Sequence, residues 1–165
     1  AYIAEQHIGK RENLIGTPYI RNYYALVDVT GDGQEELLLG LDDSSFRDIL
    51  TIRDGKVVGI DWWCHMNLCE DGVIRRTYYS PLDEVSDDLD NPRRYEFFRI
   101  KTAYTGKEVP VTLLVLSCDR TTNAWTMTNE ETGEETPITP EEVNEILSKY
   151  PLVDVEMKSI FDFPS

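Results

Sequence analysis

Tyr23-Tyr24-Ala25-Leu26-Val27-Asp28-Val29-Thr30-Gly31-Asp32-Gly33-Gln34-Glu35-Glu36-Leu37-Leu38-Leu39-Gly40-Leu41 is the stretch on which the fold class turns. Its two ends are apolar and β-prone, and its centre is rich in Gly and Asp, so it reads as strand, loop, strand. Within the loop, oxygen-bearing side chains stand at alternate positions around a glycine. Ca²⁺ takes six to eight oxygens at roughly 2.3–2.6 Å from carboxylates, carbonyls and water. Asp28, Thr30 and Asp32 offer side-chain oxygens at the first, third and fifth loop positions. Gly33 permits the sharp turn at the sixth, Gln34 offers its carbonyl at the seventh, and Glu36 closes the set at the ninth. An EF-hand needs a bidentate Glu at the twelfth position, where this chain has Leu39. Helix-loop-helix is thereby excluded. The competing reading is a plain hairpin turn with solvated carboxylates, because Asp-Gly between apolar runs is a strong hairpin signal.

Outward from the loop, short β-prone runs alternate with turn pairs at Asp54-Gly55, Asp71-Gly72, Thr105-Gly106 and Thr132-Gly133. The expected strands are 23–29, 36–41, 48–53, 56–64, 73–79, 94–104, 111–118 and 125–128. The run Val111-Thr112-Leu113-Leu114-Val115-Leu116 is apolar on both faces and predicts a central strand covered on two sides. Thr139-Pro140-Glu141-Glu142 sets a capping hydroxyl, a first-turn proline and a reciprocal Glu in order, which starts a helix whose stripe is Val143, Ile146 and Leu147. That helix ends by Tyr150, before Pro151, and packs on the sheet. A last strand is expected at 152–155, and a short helix within the first twenty residues, ending near Gly9. The expectation is one α+β domain over residues 1–165: an antiparallel meander of about eight strands with a C-terminal helix.

With its flanking strands, the loop resembles the calcium loops of FG-GAP and VCBS-type repeats of integrin heads and bacterial surface proteins, whose pattern runs Asp, Asp or Asn, Asp-Gly, then Asp-Leu. The likeness covers residues 23–41. It departs at Thr30, where Asp or Asn is usual, and at Glu36, where Asp is usual, so the cage has one charge fewer and one longer arm. The resemblance implies Ca²⁺ held with modest affinity in a strand-loop-strand site, within an exported or surface protein. It concerns the hairpin rather than a whole propeller, since the other Asp-Gly hairpins lack the ligand spacing. The meander with its capped helix is also similar to domains of bacterial surface lipoproteins that carry one such loop.

The 165 residues are 41% hydrophobic and 10% aromatic, ordinary for a globular chain and too apolar for a disordered one. The outlier is a formal net charge of −15, which makes nucleic acid an improbable partner and draws divalent cations toward the surface. A solvated acidic surface explains the charge equally well. No run of apolar residues is long enough to span a membrane as a helix. The chain opens on Ala1-Tyr2-Ile3 rather than methionine, as expected of a mature product whose export signal has been removed or of a trimmed protein.

Cys64, Cys69 and Cys118 allow one disulfide, most simply Cys64 with Cys69 across a short turn. With His65, that pair also invites zinc, but a structural zinc site wants four ligands and His7 is the only other histidine. Buried thiols are the plainer reading. Two histidines leave little scope for a nucleophilic triad, and Gly-x-Ser-x-Gly, Walker, dinucleotide and His-Glu-x-x-His motifs are absent. Carboxylates are too abundant to single out a glycosidase pair; the acidic runs 83–90 and 130–135 read as solvated loops. Trp62, Trp63, Tyr78, Tyr79 and Trp125 form a candidate stacking platform for a sugar or peptide, if strand alternation leaves one of each adjacent pair exposed. Taken together, the residues point to a non-enzymatic exported or cell-surface domain that binds a glycan or protein and contains one structural Ca²⁺. The alternatives are an acidic immunity or inhibitor protein that masks a basic partner, and a carbohydrate-active hydrolase.

Overall fold

A computed structural model describes residues 21–78, 92–119 and 121–162, without the side chains of residues 62 and 63. The expected helix in the first twenty residues and the acidic run 83–90 lie outside that range. The chain divides into two compact units, Ala1–Trp63 with Asp154–Ser165 and Cys64–Val153.

The described residues are mainly antiparallel β with one C-terminal helix, as the turn spacing predicts, but they form ten strands rather than about eight. In the first unit β1 (Tyr23–Val27), β2 (Glu36–Gly40) and β3 (Phe46–Arg53) form consecutive antiparallel pairs, and the short β10 (Lys158–Ser159) joins the outer side of β1. Tyr23 to Val27 face Gly40 down to Glu36 in register. This pairing aligns Ala25, Leu38 and Ile49 as buried cross-strand neighbours. The next turn has Asp54 at φ 52° and Gly55 at φ 71°, the double left-handed geometry that matches strand twist in a two-residue hairpin. It leads into β4 (Lys56–Leu68).

In the second unit the chain continues through β5 (Ile74–Tyr78), β6 (Arg94–Thr102), β7 (Glu108–Cys118), β8 (Trp125–Asn129) and β9 (Glu134–Ile138), each paired antiparallel with its predecessor. β7 is central, between β6 and β8, yet only Val115 and Leu116 within it are buried, so the expected two-sided cover is confined to its last third. The register shifts by one residue opposite Phe97 and Phe98, leaving Leu113 as the bulged residue. β9 takes up Glu134 and Glu135, which sequence patterning assigns to a loop. As the outermost strand it has a solvated face, where charge and Pro137 are tolerated.

The helix α1 (Pro140–Ser148) starts as its capping box requires: Thr139 Oγ1 accepts from the Glu142 N–H at 3.2 Å, and the Glu142 carboxylate accepts from the Thr139 N–H at 2.7 Å. Val143, Ile146, Leu147 and the following Tyr150 pack with Cys69, Val73, Phe97 and Leu116 on one face of this sheet. The Tyr150 ring lies 4.4 Å from that of Phe97. Instead of the expected strand at 152–155 there is a single bridge between Leu152 and Cys69. No helix among the described residues is long and apolar enough to cross a membrane.

Candidate functional site

β1 and β2 leave Asp28 to Glu35 as an eight-residue connection whose backbone is folded around one carboxylate. Asp28 Oδ1 accepts from the N–H groups of Gly31 (2.7 Å) and Asp32 (3.2 Å) and from the Thr30 hydroxyl (3.4 Å), while Oδ2 accepts from the Gly33 N–H at 2.8 Å. Such convergence of N–H groups requires left-handed backbone, supplied by Gly31 at φ 75° and Gly33 at φ 89°. The N–H of Gly33 foremost, with those of Gly31 and Asp32, holds the Asp28 carboxyl below its ordinary value of 3.8. Asp32 turns one oxygen back to the Gln34 N–H at 2.8 Å.

Glu36 is different in kind. It opens β2 on the face shared with Leu38 and is 1% exposed. One oxygen accepts from the Val29 N–H at 3.0 Å and the other from the Thr51 hydroxyl at 3.4 Å. The same Thr51 oxygen accepts from the Gln34 amide at 3.0 Å, so the loop is stapled to β3. Burial pushes the Glu36 carboxyl above its ordinary value of 4.5, and the charges of Asp32 and Asp28 push it further, against the opposing N–H groups of Val29 and Thr30. Asp28 and Asp32 are thus each close enough to Glu36 to repel its charge. Gln34 contributes its side-chain amide to the staple, a role the spacing argument missed because the partner Thr51 is far away in sequence. Among the described residues no group of three or more His, Cys, Asp or Glu side chains is gathered as a ready metal cage.

The aromatic candidates do not share one surface. Trp125 pairs with Cys118 and stacks on Tyr95, ring centroids 6.1 Å apart and planes at 19°. Tyr78 pairs with Arg94 and lies on the opposite face, because strand register assigns alternate residues to alternate sides. There its hydroxyl donates to Glu96 Oε2 at 3.1 Å, Arg76 donates to the same oxygen at 2.9 Å, and Thr112 donates to Oε1 at 2.8 Å. Burial drives the Tyr78 phenol up to about 12. Glu96 moves the other way: burial acts to raise it, but Thr112, Arg76 and Tyr78 together hold it below 4.5. Trp62 and Trp63 belong to β4 with side chains outside the description, and Tyr79 lies outside the described residues.

None of Cys64, Cys69 and Cys118 is joined in a disulfide. Cys64 lies within β4 and Cys69 just past its end, along one continuous strand rather than across a turn, so they do not pair. Burial pushes the Cys69 thiol up, which keeps it protonated and unreactive. A comparison of the chain with known families, curated proteins and solved structures finds no match.

Proposed function

We propose that the chain is a non-catalytic binding domain of an exported or cell-surface protein, in which the loop from Asp28 to Glu36 takes one Ca²⁺ as a structural tie. The observation that carries this reading is Glu36, a carboxylate 1% exposed whose proton affinity is raised partly by the charges of Asp32 and Asp28. A divalent cation beside Glu36 would neutralise a charge that water reaches poorly, with the exposed carboxylates of Asp28 and Asp32 on its solvent side. Asp28, Asp32 and Glu36 would supply the charge, with Thr30 and the Gln34 carbonyl as neutral donors. Bound there, the ion would fix the turn between β1 and β2. The partner in this reading is a glycan or a protein at the cell surface, met by half-exposed aromatic residues such as Trp125.

Calorimetric titration with CaCl₂ and thermal melts with and without chelator test the cation. The expected result is one saturable site and a higher melting temperature with Ca²⁺, both lost in Glu36→Gln and Asp32→Asn. A flat titration with superimposable melts overturns the calcium site. The acidic-inhibitor reading draws on a separate observation. Glu130, Glu131, Glu134, Glu135, Glu141 and Glu142 are all exposed, and such a surface would steer a basic partner.

A further inference from the structure

The sheet of the second unit carries polar groups on its helix-bearing side, beside the apolar core. His65, Thr77 and Tyr95 are direct cross-strand neighbours on β4, β5 and β6, and Asn67 and Arg75 form the adjacent pair. Alternation along the strands puts all five on the side that carries Phe97 and Cys69. The helix runs from the end of β9, beyond Ile138, to the β4–β5 turn, where the Pro151 carbonyl accepts from the Glu70 N–H at 3.0 Å. Its apolar stripe packs on Cys69, Val73 and Phe97, toward that turn, whereas the row of His65, Thr77 and Tyr95 lies farther along the strands.

Two donors in this corner lack acceptors among the described residues. Thr77 is 4% exposed, and its Oγ1 has no hydrogen-bond partner among the described residues. The Arg75 Nε is likewise buried without a partner, while its guanidinium carbon sits 5.8 Å from the centroid of the Tyr95 ring. A buried hydroxyl or guanidinium N–H without an acceptor is unfavourable, so natural folds rarely keep one unless something else completes it. His65, Asn67, Arg75 and Tyr95 are each partly exposed, so the rim of the corner meets water while the two orphaned atoms lie beneath it. A guanidinium and a hydroxyl against an aromatic wall are donors that recognise a planar or tetrahedral oxyanion.

We propose that this corner is a binding site for a small oxyanion-bearing ligand, a carboxylate or phosphate group held by Arg75 and Thr77 beside the Tyr95 ring. It lies wholly within the second unit and needs no cation in the loop of the first. The test is NMR titration of the full chain, in chelator and at constant ionic strength, with acetate, glucuronate and inorganic phosphate in turn. Saturable shifts centred on residues 65, 75 and 77 are expected, with binding weakened about tenfold or more in Arg75→Gln. Saturation by glucuronate, tighter than acetate, supports a sugar acid at the edge of Tyr95, whereas saturation by phosphate supports a phosphoryl group. Thr77→Val separates this role from a structural one: without ligand it melts no lower than the parent, because it removes an unsatisfied hydroxyl, yet it binds more weakly. Linear, non-saturating shifts with all three probes overturn the proposal, as does a marked drop in the melting temperature of Thr77→Val.

Discussion

Glu36 concentrates the tension in this chain, because the buried start of a strand is a costly place for a carboxylate with two others nearby. Its folded-state pKa lies above the ordinary 4.5, so the native state holds the proton more tightly than the unfolded chain does. That contribution to stability is complete below 4.5 and is lost as pH rises through the folded value. Asp28 has the opposite sign: its depressed pKa favours the fold above 3.8, and that gain is lost as pH falls through the folded value. Glu36→Gln removes only the first effect. In chelator the variant should therefore gain on the parent at neutral pH, and the gap should narrow as pH approaches 4.5, where the parent's Glu36 is itself protonated. Urea unfolding across that pH range measures the difference, and a gap independent of pH would contradict the account. With Ca²⁺ in excess the order at neutral pH should reverse, since the charge that burdens the free loop is the charge the ion needs.

Arg76 and Glu96 join β5 to β6 through a pair whose side chains are 13% and 12% exposed. Glu96 also accepts from Tyr78 and Thr112, but of these partners Arg76 alone carries the positive charge that balances it. Arg76→Met should cost about 3 kcal/mol at neutral pH, because it strands a buried carboxylate rather than removing a neutral contact. The loss should shrink on acidification as Glu96 takes up a proton, and Arg76→Met with Glu96→Leu should recover much of it; urea unfolding of the parent and both variants decides. Such pairs are invisible in the sequence, since Arg76 and Glu96 meet through β-register alone. What was legible is local. The turns at Asp54-Gly55 and Asp71-Gly72 declare themselves because both residues of each take positive φ, and the capping box at Thr139 because its two hydrogen bonds span three residues. The same reasoning missed β9, whose Glu134 and Glu135 suit a solvated edge, and β10, two residues that form only against β1. For the loop, spacing set Asp28, Thr30 and Asp32 in one turn, where they meet by hydrogen bonds, but the setting of Glu36 against Thr51 from β3 depends on strand pairing. Two of the aromatic candidates are separated for a related reason. Tyr78 and Trp125 look alike in sequence, yet pairing across β5, β6, β7 and β8 assigns them to opposite sides of the sheet.

For the molecule as a whole the governing quantity is charge, 31 acidic against 16 basic residues. Self-repulsion of that size destabilises the compact state and is relieved by any salt, because exposed charges farther apart than about 10 Å are screened at ~0.1 M. A rise in melting temperature on adding NaCl is therefore expected whatever the loop does, and a rise on adding CaCl₂ is not in itself a sign of a site. Matching ionic strength separates the two causes. Screening acts alike for NaCl, MgCl₂ and CaCl₂ at equal ionic strength apart from valence, whereas a loop of flexible carboxylates, a hydroxyl and a carbonyl suits the larger ion, since Mg²⁺ demands near-ideal octahedral geometry and sheds water reluctantly. The specific contribution is the excess of the Ca²⁺ melt over the Mg²⁺ melt, and by mass action it should grow with the logarithm of Ca²⁺ concentration above the dissociation constant. That excess should vanish in Glu36→Gln, which keeps nearly the whole acidic surface and hence nearly all of the screening response. Equal melting temperatures in Ca²⁺ and Mg²⁺ for the parent would assign the entire effect to the surface field and leave the loop as a hairpin turn folded around Asp28.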